Sequence, residues 1–343
     1  MILVTGAAGF IGYHVAARLL ADGEQVVGVD NLNSYYDPKL KRARLAGLSD
    51  SANFVFARLD IADRRSMESL FASTRPALVI HLAAQPGVRH SIDHPHAYTE
   101  ANVTGFLNVL EGCRRSGVAH LIYASSSSVY GGNQKTPSSV ADRVDRPVSL
   151  YAATKRANEL MAHCYAELYG FAATGLRFFT AYGPWGRPDM APHKFARAIA
   201  RGRRIEVYNY GRMQRDFTYI DDIVEGVARV AALSGDAHRL FNIGSDRPVE
   251  LMEFIGALED AFGRRARKRF LPMQAGDVVS THADVEDFCR FTGFRPATTI
   301  EAGVGRFVEW YRGYYEESEH GAHDRNIFGR GAAGRKFEVF RAS

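Results

Sequence analysis

Tyr151 and Lys155 are four residues apart in Tyr151-Ala152-Ala153-Thr154-Lys155. On a helix that spacing puts a phenol and an amine on one face, about one turn apart. A free tyrosine, with a pKa of ~10, is a poor base at neutral pH. A neighbouring cation favours the phenolate and makes it a usable one. Upstream, Ser125-Ser126-Ser127-Ser128 follows the apolar run Leu121–Ala124. One hydroxyl of that run could share a hydrogen bond with a substrate oxygen being oxidised. A tyrosine–lysine pair alone is common, and its plain reading is an exposed helical pair. The serine run gives it weight.

A second constellation opens the chain. Val4-Thr5-Gly6-Ala7-Ala8-Gly9-Phe10-Ile11-Gly12 follows the apolar run Ile2–Thr5 and leads into an amphipathic stretch. Gly6 permits the tight turn, Gly9 lets a pyrophosphate approach the backbone, and Gly12 lets helix and strand pack closely. The helix N-terminus then offers free N–H groups and the positive end of its dipole to phosphates. Asp30 ends the next apolar run, where a carboxylate accepts from ribose hydroxyls and repels a 2′-phosphate. No arginine follows it directly, only Asn31-Leu32-Asn33, so the expected cofactor is NAD rather than NADP. A bound nicotinamide ring adds a second positive charge beside the phenol. Asp60-Ile61 closes a third run. It could flank an adenine, or Asp60 could cap the helix beginning near Asp63, and both readings stay open.

These residues need a scaffold. Ile2–Thr5, Gln25–Asp30, Phe54–Arg58, Ala77–Leu82 and Leu121–Ala124 read as strands buried on both faces. Gly12–Asp22, Asp63–Thr74 and Ala101–Ser116 read as the helices between them. This alternation predicts an α/β fold, a Rossmann-type doubly wound parallel sheet with right-handed crossovers. The second half has shorter elements. Arg177–Trp185 reads as a strand running into a loop, Glu206–Tyr208 and Arg239–Ile243 as strands, and Pro192–Arg201, Tyr219–Leu233 and Leu251–Phe262 as helices. The expected division is a dinucleotide domain over 1–176, with 216–245 returning to it. A smaller mixed α/β substrate lobe is expected over 177–215 and 246–315, and a flexible tail over 316–343. Lys336–Phe340 is a further strand candidate.

The 343 residues carry 43 Lys and Arg against 38 Asp and Glu, a net charge of +5, too mild to argue for a nucleic-acid partner. The basic run Arg264–Arg269 reads as a solvated turn before a strand at Phe270–Leu271. No apolar run approaches the ~18–20 residues that span a bilayer. Three scattered cysteines and the absence of a signal peptide predict a reduced, cytoplasmic protein without metal. His90, His94 and His96 fall in a polar loop and read as surface histidines rather than ligands.

The glycine turn, Asp30, His81-Leu82-Ala83-Ala84, the serine run with Val129-Tyr130-Gly131, and the tyrosine–lysine pair together resemble the extended short-chain dehydrogenase/reductase family of nucleotide-sugar epimerases and dehydratases. The likeness runs from Met1 to about Tyr315. It implies that Tyr151 is the base, Lys155 holds the nicotinamide ribose and Ser126 assists. It also implies that NAD is held by Gly6, Gly9, Phe10, Ile11, Gly12, Asp30, Asn31, Asn33, Asp60, Ile61, Leu82, Ala83, Ala84, Gln85, Asn102, Ser125, Tyr151, Lys155 and Phe179. Gln85–Arg89, Pro147–Tyr151, Arg177–Met190, Arg215–Asp222 and Met273–Val278 are similar to stretches of UDP-glucuronate 4-epimerases. The resemblance implies interconversion of UDP-glucuronate and UDP-galacturonate through a 4-keto intermediate, with the hydride lent to tightly bound NAD. It also implies a homodimer paired through the helices at Ala101–Ser116 and Tyr151–Tyr169.

Such a substrate needs cations and donors. Arg187, in a Gly-Arg-Pro loop, is expected on the sugar carboxylate, with Thr180 and Ser127 or Ser128 donating to it, and Met190 nearby. Arg215 suits the diphosphate, Val207 and Tyr208 could flank uracil, and Asp277 could accept from the uridine ribose. Arg89 is either a ligand or a structural ion pair. Tyr182 and Trp185 read as packing. UDP-glucose 4-epimerase is the alternative, with the same chemistry but no need for Arg187. A 4,6-dehydratase or a UDP-glucuronate decarboxylase expects acids where Ser127 and Ser128 stand. A non-catalytic NAD-sensing protein predicts damage to Tyr151, Lys155 or the serine run, and none is visible.

Overall fold

The computed structural model describes residues 1–233, 237–274 and 276–316, with the side chain of residue 316 left aside. The expected tail and the strand candidate at Lys336–Phe340 therefore lie outside the described residues, apart from the backbone at 316. In chain order the strands are β1 (Ile2–Thr5), β2 (Val26–Val29), β3 (Phe54–Ala57), β4 (Leu78–His81), β5 (His120–Ser126), β6 (Ala172–Phe178), β7 (Thr180–Tyr182), β8 (Arg204–Val207), β9 (Gln214–Tyr219), β10 (His238–Ile243), β11 (Pro248–Glu250) and β12 (Arg267–Phe270). Seven of them form one parallel sheet in the order β10-β6-β5-β4-β1-β2-β3. The strand order reverses between β1 and β4, and a crevice opens at their carboxyl ends, where a doubly wound sheet binds its ligand. The smaller sheets are β11-β9-β7 and β12-β8.

Apolar runs make the sheet interior. Leu3, Val4, Val79, Ile80, Leu121, Ile122 and Leu176 are shielded completely, which fits strands covered on both faces. β6 begins before the expected Arg177 because its early residues are small. A Cβ on Gly175 would meet the Leu240 side chain at 2.6 Å, so a bulkier residue would break the packing of β6 on its neighbours. β9 has almost no apolar alternation, and a buried carboxylate holds it in place. Asp216 accepts from the backbone of Ser245 (2.6 Å), Ala283 (3.0 Å) and Asp246 (3.2 Å), which anchors β9 to two loops.

The basic run is corrected by pairing. Arg267, Lys268 and Arg269 lie within β12 rather than in a turn before it, in parallel register with Arg204, Ile205 and Glu206. Glu259 takes both Lys268 and Arg265, offsetting part of that charge. The expected helix from Ala101 is regular only over Gly105–Ser116, after a wider π-type turn at Thr99–Thr104. No helix among the described residues is long and apolar enough to cross a membrane.

Candidate active site

The glycine turn after β1 backs directly onto the end of β4. Gly6 takes φ +74°, and a Cβ there would come within 2.7 Å of the Ala83 nitrogen. A Cβ on Gly9 would sit 2.9 Å from the Gly6 carbonyl. The turn is therefore pressed flat, and the helix Phe10–Ala21 starts immediately behind it. Thr5 joins the two strand ends, its hydroxyl hydrogen-bonded to His81 Nδ1 (2.8 Å) and accepting from the Ala83 N–H (3.2 Å).

A cavity of about 350 Å³ runs from this turn across the carboxyl edge of the sheet. Its walls include Gly6, Gly9, Phe10, Ile11, Gly12, Asp30, Asn31, Asn33, Asp60, Ile61, Leu82, Ala83, Ala84, Gln85, Ser125, Ser126, Ser127, Ser128, Tyr151, Lys155, Phe179, Thr180, Arg187 and Met190. A bare glycine turn at a helix N-terminus, the Asp30 carboxylate on the wall and a long groove fit a dinucleotide. Asp60 is not the cap of the helix Arg64–Thr74. Asp63 takes that role, accepting from Arg65 and Ser66 N–H, while Asp60 accepts from Asn31 Nδ2 (2.9 Å) and faces the cavity.

An adjoining cavity of about 160 Å³ shares Ser127, Ser128, Phe179 and Thr180 with the first, and adds Arg215 and Asp277. Four expected residues lie outside both walls. Asn102 is a brace: its side chain accepts from the Gln85 N–H (2.7 Å) and donates to the Gln85 carbonyl (3.0 Å), so it shapes the wall without forming it. Val207 is fully buried in the hydrophobic core, so its side chain cannot flank a base. Arg89 pairs with Asp277 at 2.7 Å and lies over the Tyr208 ring, 5.3 Å from its centroid, a structural arrangement for Arg89 and Tyr208, while Asp277 also lines the smaller cavity. Arg215 lines the smaller cavity but commits Nη1 and Nη2 to the carbonyls of Gln214, Val278 and Val279, because the loop after Asp277 lies across its guanidinium.

The helix Leu150–Tyr169 is capped by Ser149, which accepts from the Ala152 N–H at 3.1 Å, and carries Tyr151 and Lys155 to the end of β5. Lys155 is buried and donates to the Ala124 carbonyl at 2.8 Å. Burial pushes its pKa down to about 8, and Glu159 pulls the other way. At Tyr151, burial raises the phenol pKa, while a hydrogen bond with Ser126 and the charge of Arg187 lower it. Arg187 thus adds a positive charge near the phenol that the sequence reading assigned to Lys155, whose ammonium donates to the Ala124 carbonyl.

Several site residues escaped the sequence reading. Glu159 stands one further helical turn beyond Lys155, a spacing that could have flagged it. Lys41 and Arg44 come from an unforeseen helix, Pro38–Ser49, begun by Asp37 and a proline. Lys41 lies 3.9 Å from Asp30 and donates to Asn33 (2.8 Å). Arg44 donates to the carbonyls of Ala8 (2.8 Å) and Trp185 (2.6 Å), tying the glycine turn to the loop that carries Arg187. Trp185 packs on Tyr13 and Trp310, and Tyr182 on Phe217, Tyr219 and Phe254. His90 and His94 stack at 4.2 Å, and no metal-holding group of three or more His, Cys, Asp or Glu occurs among the described residues.

Known proteins are similar to this chain in sequence and fold. A "Probable UDP-glucuronate 4-epimerase" of Rhizobium meliloti (strain 1021) is 47% identical over 92% of this chain and 98% of its own. The crystal structure of UDP-glucuronic acid 4-epimerase from Bacillus cereus, in complex with UDP-glucuronic acid and NAD, superposes with a TM-score of 0.86 at 31% identity, covering 92% of this chain and 99% of that one. A UDP-glucose 4-epimerase of Thermotoga maritima, with UDP-glucose, gives 0.83 at 32% identity, covering 91% and 98%. The family model described as "NAD dependent epimerase/dehydratase family" matches residues 2–244. With its glycine turn, tyrosine–lysine helix and serine run gathered on one groove, the chain belongs to that NAD-dependent epimerase family.

Proposed function

We propose that the protein is a UDP-glucuronate 4-epimerase, interconverting UDP-glucuronate and UDP-galacturonate. The observation that carries this reading is Arg187. It lines the same cavity as Tyr151 and shares that wall with Thr180, Ser127 and Ser128, so a cation and three hydroxyls surround the space beside the base. A uronic acid fills such a space with a carboxylate, which a neutral hexose lacks. The 47% identity to the Rhizobium protein supports the same choice. The segments 1–176 and 216–245 serve the dinucleotide, and 177–215 with 246–315 serve the nucleotide sugar.

The groove residues from Gly6 to Gln85 would hold NAD, which when bound supplies a reversible hydride acceptor. Tyr151, with its phenol in hydrogen bond to Ser126, removes the proton from the sugar 4-hydroxyl and later returns it. Lys155, held on the Ala124 carbonyl, is set to orient the ribose of the cofactor. The 4-keto acid formed on the sugar is a β-keto acid, prone to lose carbon dioxide. Arg187 and Thr180 hold its carboxylate and restrain that loss while the ring turns over. Exposed Leu107, Leu160, Leu168 and Tyr169 on the helices Gly105–Ser116 and Leu150–Tyr169 support a homodimer, which we place in the cytoplasm.

Incubation with UDP-glucuronate and no added NAD, with UDP-glucose in parallel, tests the reading. UDP-galacturonate as the main product is expected. Turnover of UDP-glucose alone would overturn the choice of sugar, and a pentose product would make the enzyme a decarboxylase.

A further inference from the structure

Arg187 is engaged by another residue of its own loop. Its Nε donates to Asp189 Oδ1 at 3.1 Å and its Nη2 to Oδ2 at 2.5 Å, a two-pronged ion pair. The Asp189 carboxylate is braced from a distant segment, since the Tyr35 hydroxyl donates to Oδ2 at 3.1 Å. Tyr35 itself is fixed: it packs edge-on against His90 at 4.8 Å and lies 5.9 Å, ring centroid to guanidinium carbon, from Arg187. Its hydroxyl would be 2.6 Å from a Cβ on Gly87, so the backbone of 87 closes in on it. Burial works against the Asp189 charge, but Arg187 and Tyr35 outweigh it and keep the carboxyl below its ordinary pKa. The Nη1 end of the guanidinium takes no part in that ion pair.

The consequence rests on the uronate reading above. During epimerisation the sugar must present both faces to the same base, so its carboxylate has to leave one position and settle in another. A bare guanidinium in a half-buried cavity would meet that carboxylate with its full, uncompensated charge and either edge open to it, and release it slowly. We propose that Asp189, braced by Tyr35, is a positioning residue that tempers Arg187. It occupies the Nε–Nη2 edge, leaves the remaining edge for the sugar carboxylate, and keeps that hold loose enough for the ring to turn. Specificity for the acidic sugar and freedom to rotate are then set by the same ion pair.

Asp189→Asn, Asp189→Glu and Tyr35→Phe enzymes test this, read by turnover of UDP-glucuronate and by calorimetric binding of UDP-glucuronate and of UDP. Asp189→Asn is expected to bind UDP-glucuronate about 5-fold more tightly, with kcat about 10-fold lower and UDP affinity unchanged. Asp189→Glu keeps the charge and is expected to restore both values toward wild type. Tyr35→Phe removes one hydroxyl without touching the fold, and should shift affinity and kcat in the same directions by less. Weaker or unchanged binding of UDP-glucuronate by Asp189→Asn, or a wild-type kcat, would overturn the proposal. If that variant fails to fold, Tyr35→Phe with both values unmoved would do the same. A wild-type enzyme that does not turn over UDP-glucuronate sinks the functional reading and this one with it. Wild-type turnover with indifferent variants sinks only the role of Asp189.

Discussion

Glu159 and Arg177 form a fully buried two-pronged ion pair, Nε to Oε1 at 2.7 Å and Nη2 to Oε2 at 2.8 Å. Ser125 donates to the same Oε1 at 2.6 Å. One carboxylate thus joins the helix of Tyr151 and Lys155 to β6 and to the start of the serine run, and sets the spacing between base and serine. Glu159→Gln keeps the shape but leaves the Arg177 charge buried without its counter-ion. The expected loss is about 3–5 kcal/mol of stability. An unchanged urea midpoint would show that the pair is not what holds the helix to the sheet.

Tyr151 carries the proton in the proposed reaction. Tyr151→Phe removes one oxygen and should leave the glycine turn, Asp30 and Lys155 untouched. Activity on UDP-glucuronate is expected to fall about 10²–10⁴-fold with NAD still bound, seen as cofactor released on denaturing the purified variant. Full activity would remove Tyr151 as the base.

Gly12 is where helix and strand come closest. A Cβ there would strike the Gly6 carbonyl, lying 2.7 Å from its carbon, and that backbone cannot swing aside without moving the turn. Gly12→Ala is therefore expected to purify with little or no NAD, whether or not it keeps its fold by circular dichroism. A normal cofactor content would mean that the turn has slack the geometry does not show.

Four histidines make the protein acid-sensitive. Burial, first among the causes, lowers the pKa of His14 and His238 to about 4 and of His81 and His193 to about 3. Between those values and the unfolded value near 6.5, the unfolded chain binds protons that the native one refuses. Stability is thus fully present above about pH 6.5 and lost progressively as pH falls through about 4 and then about 3. Urea midpoints should drop between pH 7.5 and 5, and less steeply in His238→Gln, which keeps a polar partner for Tyr123. Equal slopes would clear His238 of any part in it.

Much of the scaffold could be read along the chain. The first four strands and the helices at Phe10–Ala21 and Arg64–Thr74 match their apolar patterns to within a few residues, because strands of a parallel sheet and short amphipathic helices write themselves in local composition; only the expected burial of β3 on both faces fails, since it closes one edge of the sheet and leaves Val55 exposed. β9 and the first half of β6 did not, since one is held by a buried carboxylate and the other by small residues packed close under the Leu240 side chain.

Residue order alone pointed to the chemistry: a phenol and an amine one turn apart, a serine run upstream, a glycine turn at a helix start, and an acid after the next strand are short-range patterns that gain weight together. Folding settled which charges meet. Tyr35 reaches Asp189, Arg89 takes Asp277, Arg215 is drawn onto loop carbonyls and Arg44 spans two loops. Those partners are remote in the chain, and nothing in local spacing encodes a contact that depends on how sheets and loops pack.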